Sequence, residues 1–331
     1  MVGAVCQNTI FAAERGSALE NEFHVVFGTG PVGLAVVDLL AAQGHRVRAI
    51  NRSGRADVPD GVEVRGGDAT DPAFSEDVAA GAAVVYQCLN PSYAKWPELF
   101  PPLQAGVLDG AAAAGAKLVA MENLYMYGPT EGIPITEDLP YAATGPKGRT
   151  RARMAQDLLE AHRAGKARVA IGRASDYFGP RGLVSAMGER VFYPALAGKE
   201  AQVMGSPDQP HTYSYVADIA KGLVVLGERP EADGEAWHLP NAATLTTRQF
   251  IEQVFAATET EPGIQAMPRF MVNMVGLFHG RVRELKEMLY QFEEPFVVDS
   301  GKFQKAFGDH ATPLNEAIPA TAEWFRTHPK S

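Results

Sequence analysis

Residues 23–55, FHVVFGTGPVGLAVVDLLAAQGHRVRAINRSGR, restrict what this chain can become more than any other stretch. The apolar run from Phe23 to Phe27 reads as a buried parallel strand, and Gly28-Thr29-Gly30-Pro31-Val32-Gly33 follows at once as G-x-G-x-x-G. Val32, Ala35, Val36, Leu39 and Leu40 then recur at helical spacing, Gly44 ends the helix, and Arg46 to Ile50 supplies a second strand. In such a unit the first glycine allows a tight turn, the second lets backbone approach a pyrophosphate, and the third lets helix pack on strand. Phosphates then meet the N–H groups and positive dipole end of the helix. The stretch therefore predicts a dinucleotide site, with Gly28, Thr29, Gly30, Pro31, Val32 and Gly33 around the phosphates.

The rest of the chain continues the alternation. Strands are expected at Val62–Arg65, Ala82–Leu89, Lys117–Met121 and Arg168–Gly172, with helices opening at Asp71-Pro72 and Trp96-Pro97 and running from Gly148 to Gly165. The fold class is α/β: a Rossmann-like doubly wound parallel sheet with a smaller C-terminal substrate-binding lobe. The expected division is an N-terminal arm over residues 1–22, a dinucleotide-binding domain over 23–176, and a mostly substrate-binding lobe over 177–331, with segments returning to the first domain. Ligands of such sheets lie at strand C-terminal ends. That adds Ala69, Cys88, Leu89 and Asn90, and Ala174 and Ser175 to the expected cofactor contacts.

Composition excludes several partners. A net charge of −9 and a pI near 5.4 leave no basic footprint for nucleic acid. No uninterrupted apolar run of about 18 residues suggests a membrane span. The two cysteines, Cys6 and Cys88, fall in a terminal arm and a core strand, which argues against a disulfide framework and suits a reducing cytoplasm. Residues 1–22 lack the basic and apolar regions of a secretory signal. His211 and His238 show no metal-ligand spacing, so no metal is expected.

The second strand ends in Asn51-Arg52-Ser53-Gly54-Arg55. A carboxylate there would serve the ribose hydroxyls of NAD; Arg52 and Arg55 instead suit a 2′-phosphate, and Ser53 can donate to it. NADP is the expected cofactor, with NAD the lesser alternative.

Several patterns in order resemble the extended, or atypical, short-chain dehydrogenase/reductases of the NAD(P)-dependent epimerase/dehydratase type, over residues 23–326. Besides the glycine turn, Asp68 stands where that family places an aspartate against adenine, and Tyr127-Gly128 is similar to the end of its S-S-x-x-V-Y-G segment. Arg173 to Pro180, RASDYFGP, resembles R-P-x-N-V-Y-G-P, and His211 to Ala220 resembles R-D-F-V-H-V-D-D-V-A. Thr246 to Phe250 resembles its T-x-x-E element. The resemblance implies a soluble enzyme with a small-molecule substrate, and a homodimer formed through the alanine-rich helix and the helix from Gly148.

The catalytic pattern departs from the family. Asn123 falls at the serine position, and Lys147 and Arg151 replace the tyrosine and lysine of Y-x-x-x-K. Arg151 can hold ribose hydroxyls but does not give up its proton. Lys147, beside a cofactor and Arg151, is a candidate acid, and Asn123 can polarise a carbonyl oxygen. Tyr125 and Tyr177 are alternative acids, and Asp176 and Glu122 are carboxylates within the same loops. The expected activity is hydride transfer between NADP(H) and a small carbonyl, alcohol or activated alkene through a non-standard acid/base. Phe178, Met187, Phe192, Tyr193, Phe270, Met271 and Phe278 suggest a fairly apolar substrate. The alternatives are a cofactor-binding sensor without turnover and a nucleotide-sugar epimerase or dehydratase.

Overall fold

The computed structural model describes residues 22–278, 284 and 286–330. Residues 1–21 of the expected arm, Cys6 among them, lie outside the described residues. β1 (Phe23–Phe27), α1 (Pro31–Ala42), β2 (Arg46–Asn51) and β3 (Glu63–Gly66) form in the expected order. α2 (Pro72–Ala79) starts on Asp71, whose side chain accepts from the Ala73 N–H at 3.0 Å, with Pro72 in the first turn. β4 (Val84–Gln87), α3 (Trp96–Ala113), β5 (Lys117–Glu122), α4 (Pro146–Arg163) and β6 (Arg168–Arg173) complete the alternation.

The main sheet has seven strands in the order β11-β6-β5-β4-β1-β2-β3, and every neighbouring pair is parallel. Its seventh strand, β11 (Ala236–His238), returns from the second half of the chain and pairs Ala236 with Ile171. Three residues are too few to announce a strand by pattern. The chain winds one way from β1 through β3 and the other way from β4 through β6, so β1 and β4 flank the reversal point. That crevice is where an open parallel sheet binds its ligand.

Apolar side chains leave both sheet faces. On one face Val26, Ala49, Val119 and Ala170 meet Val36 and Leu40 of α1 and Leu223 of α6 (Val216–Glu228). On the other, Val25, Phe27, Leu118 and Ile171 meet α2, α3 and α4 through Val78, Val107 and Leu158. Near-continuous burial of the strands follows from this double cover.

The smaller lobe has its own core, built from α5 (Glu189–Leu196), α7 (Thr247–Thr258) and α9 (Leu314–Thr327). Phe178, Met187 and Phe192 lie in that core with Tyr193 packed against it, while Phe270 and Met271 are exposed on α8 (Arg269–Phe278). The Phe278 side chain lies outside the described residues. Phe178 and Phe192 are fully buried and belong to the lobe's core. Among the described residues no helix is long and apolar enough to cross a membrane.

Candidate active site

The glycine turn has the geometry that its three roles demand. Gly28 adopts φ +105°, and a Cβ there would stand 2.5 Å from the Cys88 carbonyl oxygen of β4's exit. A Cβ on Gly33 would stand 1.9 Å from the Gly28 oxygen, so only glycine lets α1 approach β1 so closely. Gly30 differs: a Cβ on it would meet nothing within 4 Å. Open space therefore lies over the N-terminus of α1, where no side chain caps the helix and Pro31 occupies the first turn. The first N–H groups of the helix are left for a ligand. A pyrophosphate fits this cradle in shape and in charge.

At the end of β2, Asn51 works as a strut. Its Nδ2 donates to Thr29 Oγ1 at 2.8 Å and to the Arg55 carbonyl at 2.8 Å, and its Oδ1 accepts from the Gly54 N–H at 2.7 Å. The strut holds the turn that presents Arg52, Ser53 and Arg55, all exposed. Neither guanidinium is in an ion pair among the described residues. Asp68, in the next loop, accepts from the N–H and hydroxyl of Thr70 at 3.0 and 2.8 Å. These bonds hold its carboxyl below the usual range, with Arg52 adding to the effect. Ala69 is buried behind it, Cys88 and Leu89 border the glycine turn, and Asn90 is exposed beyond them.

The opposite end of the crevice gathers residues from five segments. The first turn of α4 presents Lys147, 4% exposed, whose Nζ lies 2.7 Å from Glu284 and 3.6 Å from Glu287. The Glu287 Oε1 also accepts from the backbone N–H groups of Lys147 and Gly148, at 2.8 and 3.2 Å, placing a carboxylate on the positive end of the helix. Lys147 Nζ stands over the Tyr93 ring at 4.7 Å. Its surroundings are thus carboxylates and an aromatic face as well as α4 itself.

One turn along, Arg151 is 3% exposed and lies over the Phe100 ring at 4.6 Å. It donates through Nε to Asn123 Oδ1 and through Nη2 to the Met121 carbonyl, each at 3.3 Å. Among the described residues its Nη1 is buried without a partner. A buried donor left over in this way suits a ligand oxygen such as a ribose hydroxyl. The Asn123 oxygen also accepts from the Tyr125 N–H at 3.2 Å, which leaves the carboxamide NH2 to a substrate. Ala174 and Ser175 follow β6 with little exposure, and the Ser175 hydroxyl has no partner among the described residues.

Four phenols adjoin this end: Tyr93, Tyr125, Tyr177 and Tyr290. Burial pushes each of them up from the ordinary tyrosine value, and Asp176 raises each further. They remain protonated across the neutral range and serve as donors more readily than as proton exchangers. Tyr125 stacks on Trp96 at 5.7 Å, which fixes its ring.

The two carboxylates of these loops diverge. Glu122 is 1% exposed and pairs with Arg173 Nε at 3.1 Å. Arg173 also donates to the hydroxyls of Tyr127, at 2.6 Å, and Tyr141, so this group forms a buried strut beneath the sheet end. Asp176 instead stays partly exposed and meets His211 Nε2 at 3.0 Å. Tyr93, Glu284, Glu287, Tyr290 and the Asp176–His211 contact had no local signal in the sequence. Among the described residues no three His, Cys, Asp or Glu side chains converge as a metal-binding group.

The model of the NAD dependent epimerase/dehydratase family matches residues 25–239. The dTDP-glucose 4,6-dehydratase of Streptomyces griseus is 23% identical over 224 residues, which cover 67% of this chain and 62% of that protein. The epimerase Mth375 of Methanothermobacter thermautotrophicus superposes with a TM-score of 0.78 at 19% identity, over 95% of each chain. The UDP-N-acetylglucosamine 4-epimerase of Methanobrevibacter ruminantium M1, solved with UDP-N-acetylmuramic acid, superposes with a TM-score of 0.76 at 16% identity, over 93% of this chain and 99% of that one. At such identities the structural likeness is one of fold.

Proposed function

The chain belongs to the NAD dependent epimerase/dehydratase family, and from that premise we propose that it is an NADP(H)-dependent oxidoreductase acting on a small carbonyl, alcohol or activated alkene. The observation that carries the cofactor choice is the turn after β2, where Arg52 and Arg55 flank Ser53 and no carboxylate pairs with either guanidinium among the described residues. Two free cations and a hydroxyl suit a 2′-phosphate, and an acidic residue that would repel it is missing from the turn.

The bound dinucleotide supplies a hydride donor or acceptor at the nicotinamide C4. Everything else falls to the chain. The helix N-terminus behind Gly30 takes the pyrophosphate, Arg151 Nη1 takes a ribose hydroxyl, and the Asn123 NH2 donates to the substrate oxygen and polarises its carbonyl. Lys147, tied to Glu284 and Glu287, orients the entry to that end. A homodimer across α3 and α4 completes the reading.

A second reading, a nucleotide-sugar epimerase or dehydratase, is favoured by the names of the relatives above. Fluorescence titration with NADPH and NADH, followed by assays on carbonyls, enones and UDP- and dTDP-sugars, separates the two. The expected result is tighter NADPH binding and turnover of a carbonyl or enone. Tighter NADH binding removes the NADP assignment, and turnover confined to the sugar nucleotides moves the conclusion to the second reading.

A further inference from the structure

Two histidines of this chain make paired contacts with different proton requirements. His238 Nδ1 lies 2.9 Å from the Asp299 carbonyl, and its Nε2 lies 2.9 Å from the Tyr127 hydroxyl. The carbonyl accepts from Nδ1–H and the hydroxyl donates to Nε2, so a neutral ring satisfies both. His211 Nδ1 lies 3.0 Å from the Gln291 carbonyl, and its Nε2 lies 3.0 Å from Asp176 Oδ2. Here both partners are acceptors. A neutral imidazole beside an ionised carboxylate would set lone pair against lone pair, and turning the ring over would put carbon at both contacts. One additional proton, shared between Nε2 and Oδ2, satisfies the whole arrangement.

The surroundings of His211 agree with such a proton. Its ring stacks on Phe292 at 5.2 Å and 4°, on Phe296 at 5.1 Å, and on Tyr213 at 4.4 Å, faces that accommodate an imidazolium. The two members also differ in access, since the His211 side chain is 2% exposed and that of Asp176 is 20% exposed. Asp176 is the one that reaches the crevice. Its charge is felt by Tyr93, Tyr125, Tyr177 and Tyr290, the phenols of that end, and by Tyr213 in the lobe core. The other charged groups at that end are Lys147, Arg151, Glu284 and Glu287.

We propose that Asp176 and His211 together hold one exchangeable proton at the substrate end and form the acid/base of the reaction, with Asp176 meeting the substrate and His211 positioning it. The proposal rests on the oxidoreductase reading and names its proton donor. With a carbonyl substrate and a reduced dinucleotide, the carbonyl carbon gains the hydride and the C=O π bond breaks. The substrate oxygen takes the proton from the Asp176 carboxyl, so one O–H bond forms as another breaks. Alcohol and oxidised dinucleotide result. The pair is left as neutral imidazole and carboxylate and regains its proton from water, and oxidation runs the same steps in reverse.

The test combines Asp176→Asn and Asp176→Glu with histidine NMR, steady-state kinetics, cofactor titration and a pH–rate profile. An asparagine NH2 donates to Nε2 and satisfies the pair without an exchangeable proton, so the fold is retained. In the full chain labelled with [15N]histidine, His211 should show the shared proton at neutral pH in the native protein and lose it in Asp176→Asn. With NADPH and a carbonyl or enone that the native protein reduces, Asp176→Asn should lower kcat about a hundredfold or more, the scale of a positioned acid. KM and NADPH affinity should stay within about twofold, the corresponding limb of the pH–rate profile should disappear, and Asp176→Glu should recover part of the rate. A native His211 that is neutral beside an ionised Asp176 overturns the proposal, as does an Asp176→Asn variant that keeps kcat within about threefold. A native protein that binds dinucleotide but reduces nothing overturns the oxidoreductase reading and the transfer step with it, a result distinct from active native protein with an indifferent variant.

Discussion

Lys147 and Arg52 show how differently one cation can be used. Lys147 is nearly inaccessible between Glu284 and Glu287, and replacing it with methionine strips the cation from carboxylates that stay in place. Lys147→Met is expected to cost about 3 kcal/mol, the low end for breaking a buried pair from one side, because Glu284 keeps some solvent. Thermal unfolding checks this, and adding Glu287→Gln should restore part of the loss. Arg52 and Arg55 are exposed and in no ion pair among the described residues, so removing them costs the fold little. The double variant Arg52→Ala, Arg55→Ala should leave the melting temperature unchanged while weakening NADPH at least tenfold, with NADH affinity kept, as expected for lost charge-assisted bonds of about 1.5–3 kcal/mol. Paired titrations read this directly.

At the scale of elements, the first turn of α1 separates folding from binding. Gly33→Ala drives a methyl into the Gly28 carbonyl, 1.9 Å away, and should destabilise the protein by about 3 kcal/mol, the upper part of the overpacking range. Gly30→Ser has the reverse profile. Serine is a good N-cap at the position Gly30 holds, and the space about it is open, so stability should be retained. The side chain then occupies the phosphate cradle, and dinucleotide affinity should fall tenfold or more. Chemical denaturation and cofactor titration on the two variants resolve the contrast.

The whole molecule carries a pH response set by buried imidazoles. His24 in β1 and His238 in β11 are held down at about 4, chiefly by burial. The folded state then binds fewer protons than the unfolded chain between pH 4 and the ordinary histidine value of 6.5. Stability from these groups is complete above about pH 6.5 and is lost as pH falls toward 4, by about 1.4 kcal/mol per unit for each histidine at the steepest. Unfolding midpoints measured from pH 7.5 to 4.5 should follow this slope. Among the described residues neither ring nitrogen of His24 is hydrogen-bonded, so His24→Val should flatten the slope without removing a hydrogen bond.

Legibility from sequence tracked distance along the chain. The glycine turn, α1 and β2 are consecutive, their geometry is dictated by backbone sterics and helical period, and this strand–turn–helix–strand unit was therefore readable from residues 23–55 alone, the parallel sheet from its repetition as far as β6. Even the basic turn after β2 is local, since its charge is in its own residues. The short strand β11 and the lobe aromatics were not readable, because pairing and burial depend on what the tertiary fold sets beside them. The nicotinamide end was least readable. Asp176 and His211 stand 35 residues apart, and Lys147 and Glu287 stand 140 apart. The amino-acid sequence by itself determined the glycine turn and the open helix start behind it, because backbone sterics and helical period act between neighbouring residues. Only the tertiary structure decided that Asp176 faces His211, because that contact joins segments which chain folding alone brings together.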